Sequence, residues 1–307
     1  MKNDFLGIDT SNYTTSAAVY YNGERIEQNK RLLPVKNGQL GLRQSDAVFH
    51  HVQQLPLILE PLLQNDVNIK AVGVSDKPRD VAGSYMPCFT VGYGTAKAIA
   101  MTLRVPLYTF SHQAGHIAAA LYSAEKLELL KEKFLAFHVS GGTTEAVLVT
   151  PNTDTVISAK IIASSLDLKG GQAVDRVGSM LGLPFPAGKE LEKLALACEK
   201  TFRIKPSMKG TDCSLSGIEN HCRKMLDEGF PKEEIAAYCL QSILAALDAM
   251  CGLLFREYGE LPIVFAGGVM SNSIIRNALT AKYGAYFAAP EFSADNAAGV
   301  AVLASMR

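Results

Sequence analysis

The segment His112-Gln113-Ala114-Gly115-His116 is the sharpest chemical signal in the chain. Residues four apart share one face of a helix, so two imidazoles at this spacing can reach a single ion. Two stacked structural histidines are the plainer reading of the same spacing. Gln113 stands where a zinc peptidase of the H-E-x-x-H type carries its glutamate base, so the pair does not read as a protease. A metal needs a further ligand. The candidates are His138, just before a glycine-rich turn, and Asp295, in Ser293-Ala294-Asp295-Asn296. Asp9 closes the first apolar run and is the candidate catalytic carboxylate, because acids at strand C-termini in α/β sheets face the ligand crevice. His50 and His51 fall on an expected surface helix and are assigned no role.

Three segments suit a nucleotide. In His138-Val139-Ser140-Gly141-Gly142-Thr143-Thr144 the glycines let backbone N–H groups approach anionic oxygens and the hydroxyls add donors. No lysine follows, so this is not a Walker loop. Phe265-Ala266-Gly267-Gly268-Val269 followed by Asn272 reads as strand, turn and helix start, open to a flat ligand and favourable to anions. Asp175, shortly after Gly170-Gly171, could accept from two ribose hydroxyls or serve as a dipole-favoured acid near a helix start.

These residues need a scaffold. Phe5–Ile8 and Ala17–Tyr21 read as strands around a Ser/Thr-rich turn, the second ending at Asn22-Gly23. Helices are expected near 45–63, with Pro56 a kink or boundary, and over 90–103 and 113–121; strands over 69–75 and 106–110. The opening pattern then recurs. Phe134–Val139 leads into Ser140-Gly141-Gly142-Thr143-Thr144-Glu145-Ala146, which matches Ser11-Asn12-Tyr13-Thr14-Thr15-Ser16-Ala17 at Ser, both Thr and Ala. Helices follow near 173–181, 189–198 and 232–258, then the strand 262–266, a helix over 271–279 and an Ala-rich helix over 295–305. Two halves with similar openings predict a duplicated α/β fold. The expected division is a first lobe, 1–125, with the histidine helix near its end, and a second lobe, 126–307, whose last helix packs back on the first.

Composition narrows the classes. A chain of 307 residues with 48% apolar and 20% charged side chains can bury a full core. Zero formal net charge removes the simple electrostatic argument for nucleic acid. Lys30, Arg31, Lys36 and Arg43 form a local basic cluster that reads as a solvated face. The N-terminal segment lacks the pattern of a signal peptide, no apolar run reaches the ~18 residues of a membrane span, and the six cysteines form no C-x-x-C pair. A cytoplasmic protein with reduced thiols and no membrane association is expected.

Together these motifs resemble the tRNA threonylcarbamoyladenosine synthase family, the former glycoproteases (peptidase M22-like) of the actin, Hsp70 and sugar-kinase superfamily. The resemblance runs along nearly the whole chain. It rests on Leu6–Ser11, Ser111–His116, Val139–Gly142, Gly171–Arg176, Pro186–Gly188, Ser214–Gly217, Ala266–Val269 with Asn272, and Asp295–Ala298. It implies a two-lobed, ribonuclease H-like nucleotide-binding fold. It also implies that His112, His116 and Asp295 hold a divalent metal, iron or zinc, with His138 where some members carry a tyrosine ligand. Ser140–Gly142, Asp175, Gly188 and Asn272 would then bind ATP or an acyl-adenylate. The implied reaction moves a threonylcarbamoyl group from its adenylate to an adenine amino nitrogen in tRNA, alongside partner subunits of a modification complex or within a homodimer.

The departures lie in the first lobe. The family's T-S-C-D-E-T is here Thr10-Ser11-Asn12-Tyr13-Thr14-Thr15, so two carboxylates are missing, and Asp76–Ser84 replaces a G-P-G segment. The pattern reads as a divergent paralogue with the donor side kept and the acceptor side altered. Two alternatives follow: a carbamoyl-type transferase using an acyl-adenylate with a different acceptor, and a non-catalytic nucleotide-binding subunit.

Overall fold

The computed structural model describes residues 3–11, 13–34, 42–64 and 66–307. Asn12, in the first turn, and Lys36, in the basic cluster, lie outside them. The opening hairpin pairs β1 (Asp4–Ser11) with β2 (Thr14–Tyr21) in register from Asp4 opposite Tyr21 to Ser11 opposite Thr14. Asn22 and Gly23 both take positive φ, 55° and 78°, in the tight turn Asn22–Glu24 that follows β2. The turn delivers β3 (Arg25–Leu32), a charged edge strand that apolar patterning does not reveal.

Helix α1 (Gln44–Leu63) runs unbroken through Pro56 and Pro61. Both prolines are solvent-exposed, where water can satisfy a freed carbonyl, while buried Leu55, Ile58, Leu59 and Leu62 hold the inner face. Then come β4 (Ile69–Lys77), α2 (Phe89–Leu103), β5 (Leu107–Ser111) and α3 (His112–Ser123). The first sheet has the order β3-β2-β1-β4-β5, with β1, β4 and β5 parallel.

The second half repeats this plan. β6 (Phe134–Val139), β7 (Thr144–Asn152) and β8 (Val156–Ser164) are followed by α4 (Gly170–Met180) and α5 (Gly188–Leu196). A small hairpin, β9 (Ser207–Lys209) and β10 (Asp212–Ser214), precedes α6 (Ser216–Asp227) and α7 (Lys232–Tyr258). Next are β11 (Ile263–Ala266), α8 (Ser273–Tyr283), β12 (Tyr286–Phe287) and α9 (Ala298–Ser305). The second sheet runs β8-β7-β6-β11-β12, strand for strand the order of the first, with β6, β11 and β12 parallel. Phe137, Phe265 and Phe287 stack across these three strands with centroids 4.8 and 5.1 Å apart. Helix α7 is long and apolar enough to cross a bilayer by length and composition. Here that composition serves the core: Ile235, Leu240, Ile243, Leu247, Met250 and Leu254 are buried in one cluster.

The chain divides into two units, one of 1–132, 149–159 and 291–307, the other of 133–148 and 160–290. This differs from a single boundary at 125/126. Residues 126–132 stay with the first unit because Leu129 and Leu130 bury themselves in the 3-10 helix Leu127–Lys131, packed on α3. Helix α9 lies against β1, β4 and α3. Gly299 makes the α3 contact possible: any Cβ there would collide with the carbonyl of Gly115.

Candidate functional site

In the first unit, Ser111 caps α3 through its Oγ, which accepts from the Ala114 N–H at 3.1 Å. The cap sets the helix start, so His112 and His116 project from successive turns of one face. Asp295 comes from the segment before α9, and Asn296 fixes that segment by accepting from the Ala298 N–H. His112 Nε2 and His116 Nε2 lie 3.0 Å apart. Asp295 Oδ1 is 3.1 Å from the His116 nitrogen and 3.4 Å from that of His112. Among the described residues, these three form the group of potential metal ligands.

The triangle suits an ion. Four ligands at ~2.0–2.1 Å around a tetrahedral metal are separated by about 3.3 Å, close to the spacings seen here. Asp9 stands behind it, 1% exposed. Its Oδ2 lies 2.7 Å from His112 Nδ1 and accepts from Ser75 Oγ at 2.5 Å; its Oδ1 accepts from the Ser11 N–H. Asp9 therefore orients a histidine and does not open onto the crevice as a strand-end acid would. Burial works against charge throughout this cluster. It would push His112 down, but Asp9 and Asp295 outweigh it and hold the imidazole up at about 10. Burial likewise raises Asp9 and Asp295, and the histidines more than offset it, so both carboxyls sit below their ordinary range.

His51 corrects the sequence reading. It is fully buried, with Nδ1 2.8 Å from Thr15 Oγ1 and Nε2 2.9 Å from the Ser11 carbonyl oxygen, and desolvation lowers its pKa. It braces the end of the first hairpin. Thr14, at one of the positions where an acid is missing, donates from Oγ1 to Asp295 Oδ2 at 3.3 Å, whereas Tyr13 is exposed. The segment replacing G-P-G starts with a bulge at Asp76 and turns toward α3, where the Pro78 carbonyl accepts from the Gln113 N–H.

The second unit holds a cavity of about 550 Å³, enough for a nucleotide. Ser140, Gly141, Asp175, Gly188, Gly268 and Asn272 line it, as expected. The Ser140 N–H and carbonyl are engaged by Thr143 and Gly171, but the Gly141 and Gly142 N–H groups make no backbone hydrogen bond among the described residues. Asp175 Oδ1 accepts from the Ala187 N–H at 2.9 Å, which ties the segment before α5 to the cavity wall. Asn272 caps α8 by accepting from the Ile275 N–H.

Four expected residues do not line this cavity. Val139 is fully buried, Gly142 is the exposed tip of its turn, and Gly267, at φ 101°, has its backbone against Val139 with no room for a side chain. His138 belongs to β6 in the second unit and is not one of the three clustered ligands. Lys189 and Glu192 do line it and were missed. Glu192 accepts from both the N–H and Oγ of Ser273 at the α8 start. Its only sequence signal is its place one turn after Gly188.

The model of the TsaD family, tRNA N6-adenosine threonylcarbamoyltransferase, matches residues 35–302. The chain belongs to this family. The tRNA N6-adenosine threonylcarbamoyltransferase of Halalkalibacterium halodurans is 30% identical over 98% of this chain and 90% of its own length. That of Lacticaseibacillus casei is 31% identical over 89% and 81%. Among solved structures, T. kodakarensis HypF superposes with a TM-score of 0.62 at 12% identity, covering 99% of this chain and 46% of HypF. Component A of Acidaminococcus fermentans (R)-2-hydroxyglutaryl-CoA dehydratase gives 0.56 at 18%, covering 99% and 98%. Both share the fold, an actin-like ATPase architecture.

Proposed function

We propose that this TsaD-family transferase moves a threonylcarbamoyl group from its adenylate to N6 of an adenosine in tRNA, with iron or zinc held by His112, His116 and Asp295. The observation that carries the reading is the triangle of His112 Nε2, His116 Nε2 and Asp295 Oδ1, with spacings of 3.0, 3.1 and 3.4 Å, in a chain of this family. When bound, the metal supplies Lewis acidity toward the donor's oxygens. Asp9 keeps the His112 Nδ1 proton and turns Nε2 toward the ligand position. The Gly141 N–H receives donor phosphate, Asp175 Oδ2 accepts from ribose, and the Asn272 amide orients the nucleoside. Six free cysteines and a tRNA acceptor fit a cytoplasmic protein. Exposed Phe49, Val52 and Met101 on α1 and α2 fit a chain that works with partner subunits or as a homodimer.

The test is replacement. Purified, metal-loaded protein, supplied with the partner subunits of an ordinary synthase, is expected to form the modified nucleoside on a tRNA transcript. Failure of folded, loaded protein would overturn tRNA as the acceptor. A second reading, a carbamoyl-type transferase with another acceptor, draws on Tyr13 and Thr14 standing where the family carries acids. In that case the protein would still consume an acyl-adenylate while leaving tRNA unmodified.

A further inference from the structure

Among the described residues, Phe185 is the most exposed of the large apolar side chains, at 84%. It sits between Pro184 and Pro186, each of which fixes its own φ and leaves the segment few conformations. The next residue, Ala187, anchors the segment twice. Its N–H donates to Asp175 Oδ1 at 2.9 Å, and its Cβ packs where Gly178 leaves room. Pro186, Gly188 and Lys189 line the second unit's cavity, but Phe185 does not. The ring therefore stands at the rim, presented to solvent by a stiff, tethered segment. Lys189, on the first turn of α5, is also exposed and has no acidic partner among the described residues.

An aromatic face and a free cation four residues apart on a rigid rim are the parts from which single-stranded nucleic acid sites are built. The reaction supplies the occupant. An adenine amino nitrogen can be acylated only when its base leaves the stack, and an unstacked base exposes a π face that an aromatic side chain can cover. We propose that Phe185 is the stacking platform for an unpaired base of the RNA acceptor, with Lys189 meeting the adjoining phosphate. This rests on the acceptor being tRNA. The donor's adenine is a poorer occupant, because the ring lies outside the cavity that fits a nucleotide.

The test uses the full chain with its partner subunits, an unmodified tRNA transcript, and the variants F185A, F185Y and F185L. F185A is expected to weaken transcript binding about 5- to 100-fold and to raise KM for tRNA with kcat kept at saturation. F185Y should behave as wild type and F185L as F185A, with metal content and ATP affinity unchanged in all three. Equal transcript affinity for F185A and wild type would overturn the proposal alone. So would a loss of ATP affinity, which would give the ring to the donor, or rescue by leucine, which would mark an apolar contact with a partner protein. A wild-type protein that ignores the transcript would overturn the proposed function and this inference together.

Discussion

Asp9 Oδ2 and His112 Nδ1 lie 2.7 Å apart, and the other nitrogen of that imidazole faces His116 and Asp295. A carboxylate fully enclosed in the first sheet thus sets which nitrogen a metal can use. In the proposed metal site the carboxylate would support a ligand and not be one itself. Removing it should loosen the site without emptying it. D9N is expected to lower metal affinity about 10- to 100-fold, whereas H112A or H116A should abolish stoichiometric binding. Chelator competition on purified protein measures both. Retention of metal by H112A at wild-type stoichiometry would sink the assignment.

Metal loading should depend on pH. His112 is held up at about 10 in the metal-free protein by Asp9 and Asp295, above the ~6.5 of an unfolded chain. Its contribution to stability is therefore full below about 6.5 and is lost as pH rises through about 10. A metal must displace that proton, so affinity should climb across this window and each ion bound should release about one proton from His112. Calorimetry in buffers of different ionisation heat reads the proton count. Zero release at pH 8 would contradict the arrangement.

In the proposed nucleotide site Asn272 would carry two separable loads. It caps α8 through Oδ1, and its amide nitrogen remains for a ligand. N272A should cost about 1 kcal/mol of stability and weaken ATP binding. N272D keeps a capping oxygen but loses the amide donor, so it should restore stability and not affinity. Thermal unfolding paired with nucleotide titration distinguishes the two; recovery of affinity in N272D would assign Asn272 to the cap alone.

Gly299 permits the contact between α3 and α9, and those elements bring the histidines to Asp295. G299A should destabilise the protein by about 1–3 kcal/mol through overpacking. It should also reduce metal content, since a Cβ at 1.7 Å from the Gly115 carbonyl oxygen forces the helices apart by about 1 Å or more and spreads the ligand triangle. Wild-type metal content in a destabilised G299A would uncouple the contact from the site.

Much of this was legible in the sequence because the signals were local. The spacing of His112 and His116 announces a shared face, and the Ser140–Thr144 turn announces itself by its glycines and hydroxyls. What was hidden depends on packing between distant segments. Asp9 and His112 are joined by hydrogen bonding across 103 positions. His51 looked like a surface residue until Thr15 and the Ser11 carbonyl were found around it. β3 was missed because an edge strand needs charge more than alternation, and Arg25–Leu32 carries no apolar stripe. For the third ligand the residues alone leave His138 and Asp295 side by side; the family resemblance favours Asp295, and the packing ahead of α9 brings it to His116.

The placement of Asp295 has a consequence for how the protein is made. His116 meets a residue 179 positions further along the chain, in the segment that leads into α9. During synthesis the first sheet is complete long before α9 leaves the ribosome, and until then one of its faces lacks its cover. Such late, long-range closure slows folding and leaves a partly finished intermediate exposed to chaperones and proteases. An ion that needs residues from both stretches can lodge only in a chain translated past Asp295. Occupancy of the site would then mark a chain in which α9 has docked, distinguishing it from intermediates whose first sheet is still uncovered before any substrate is met.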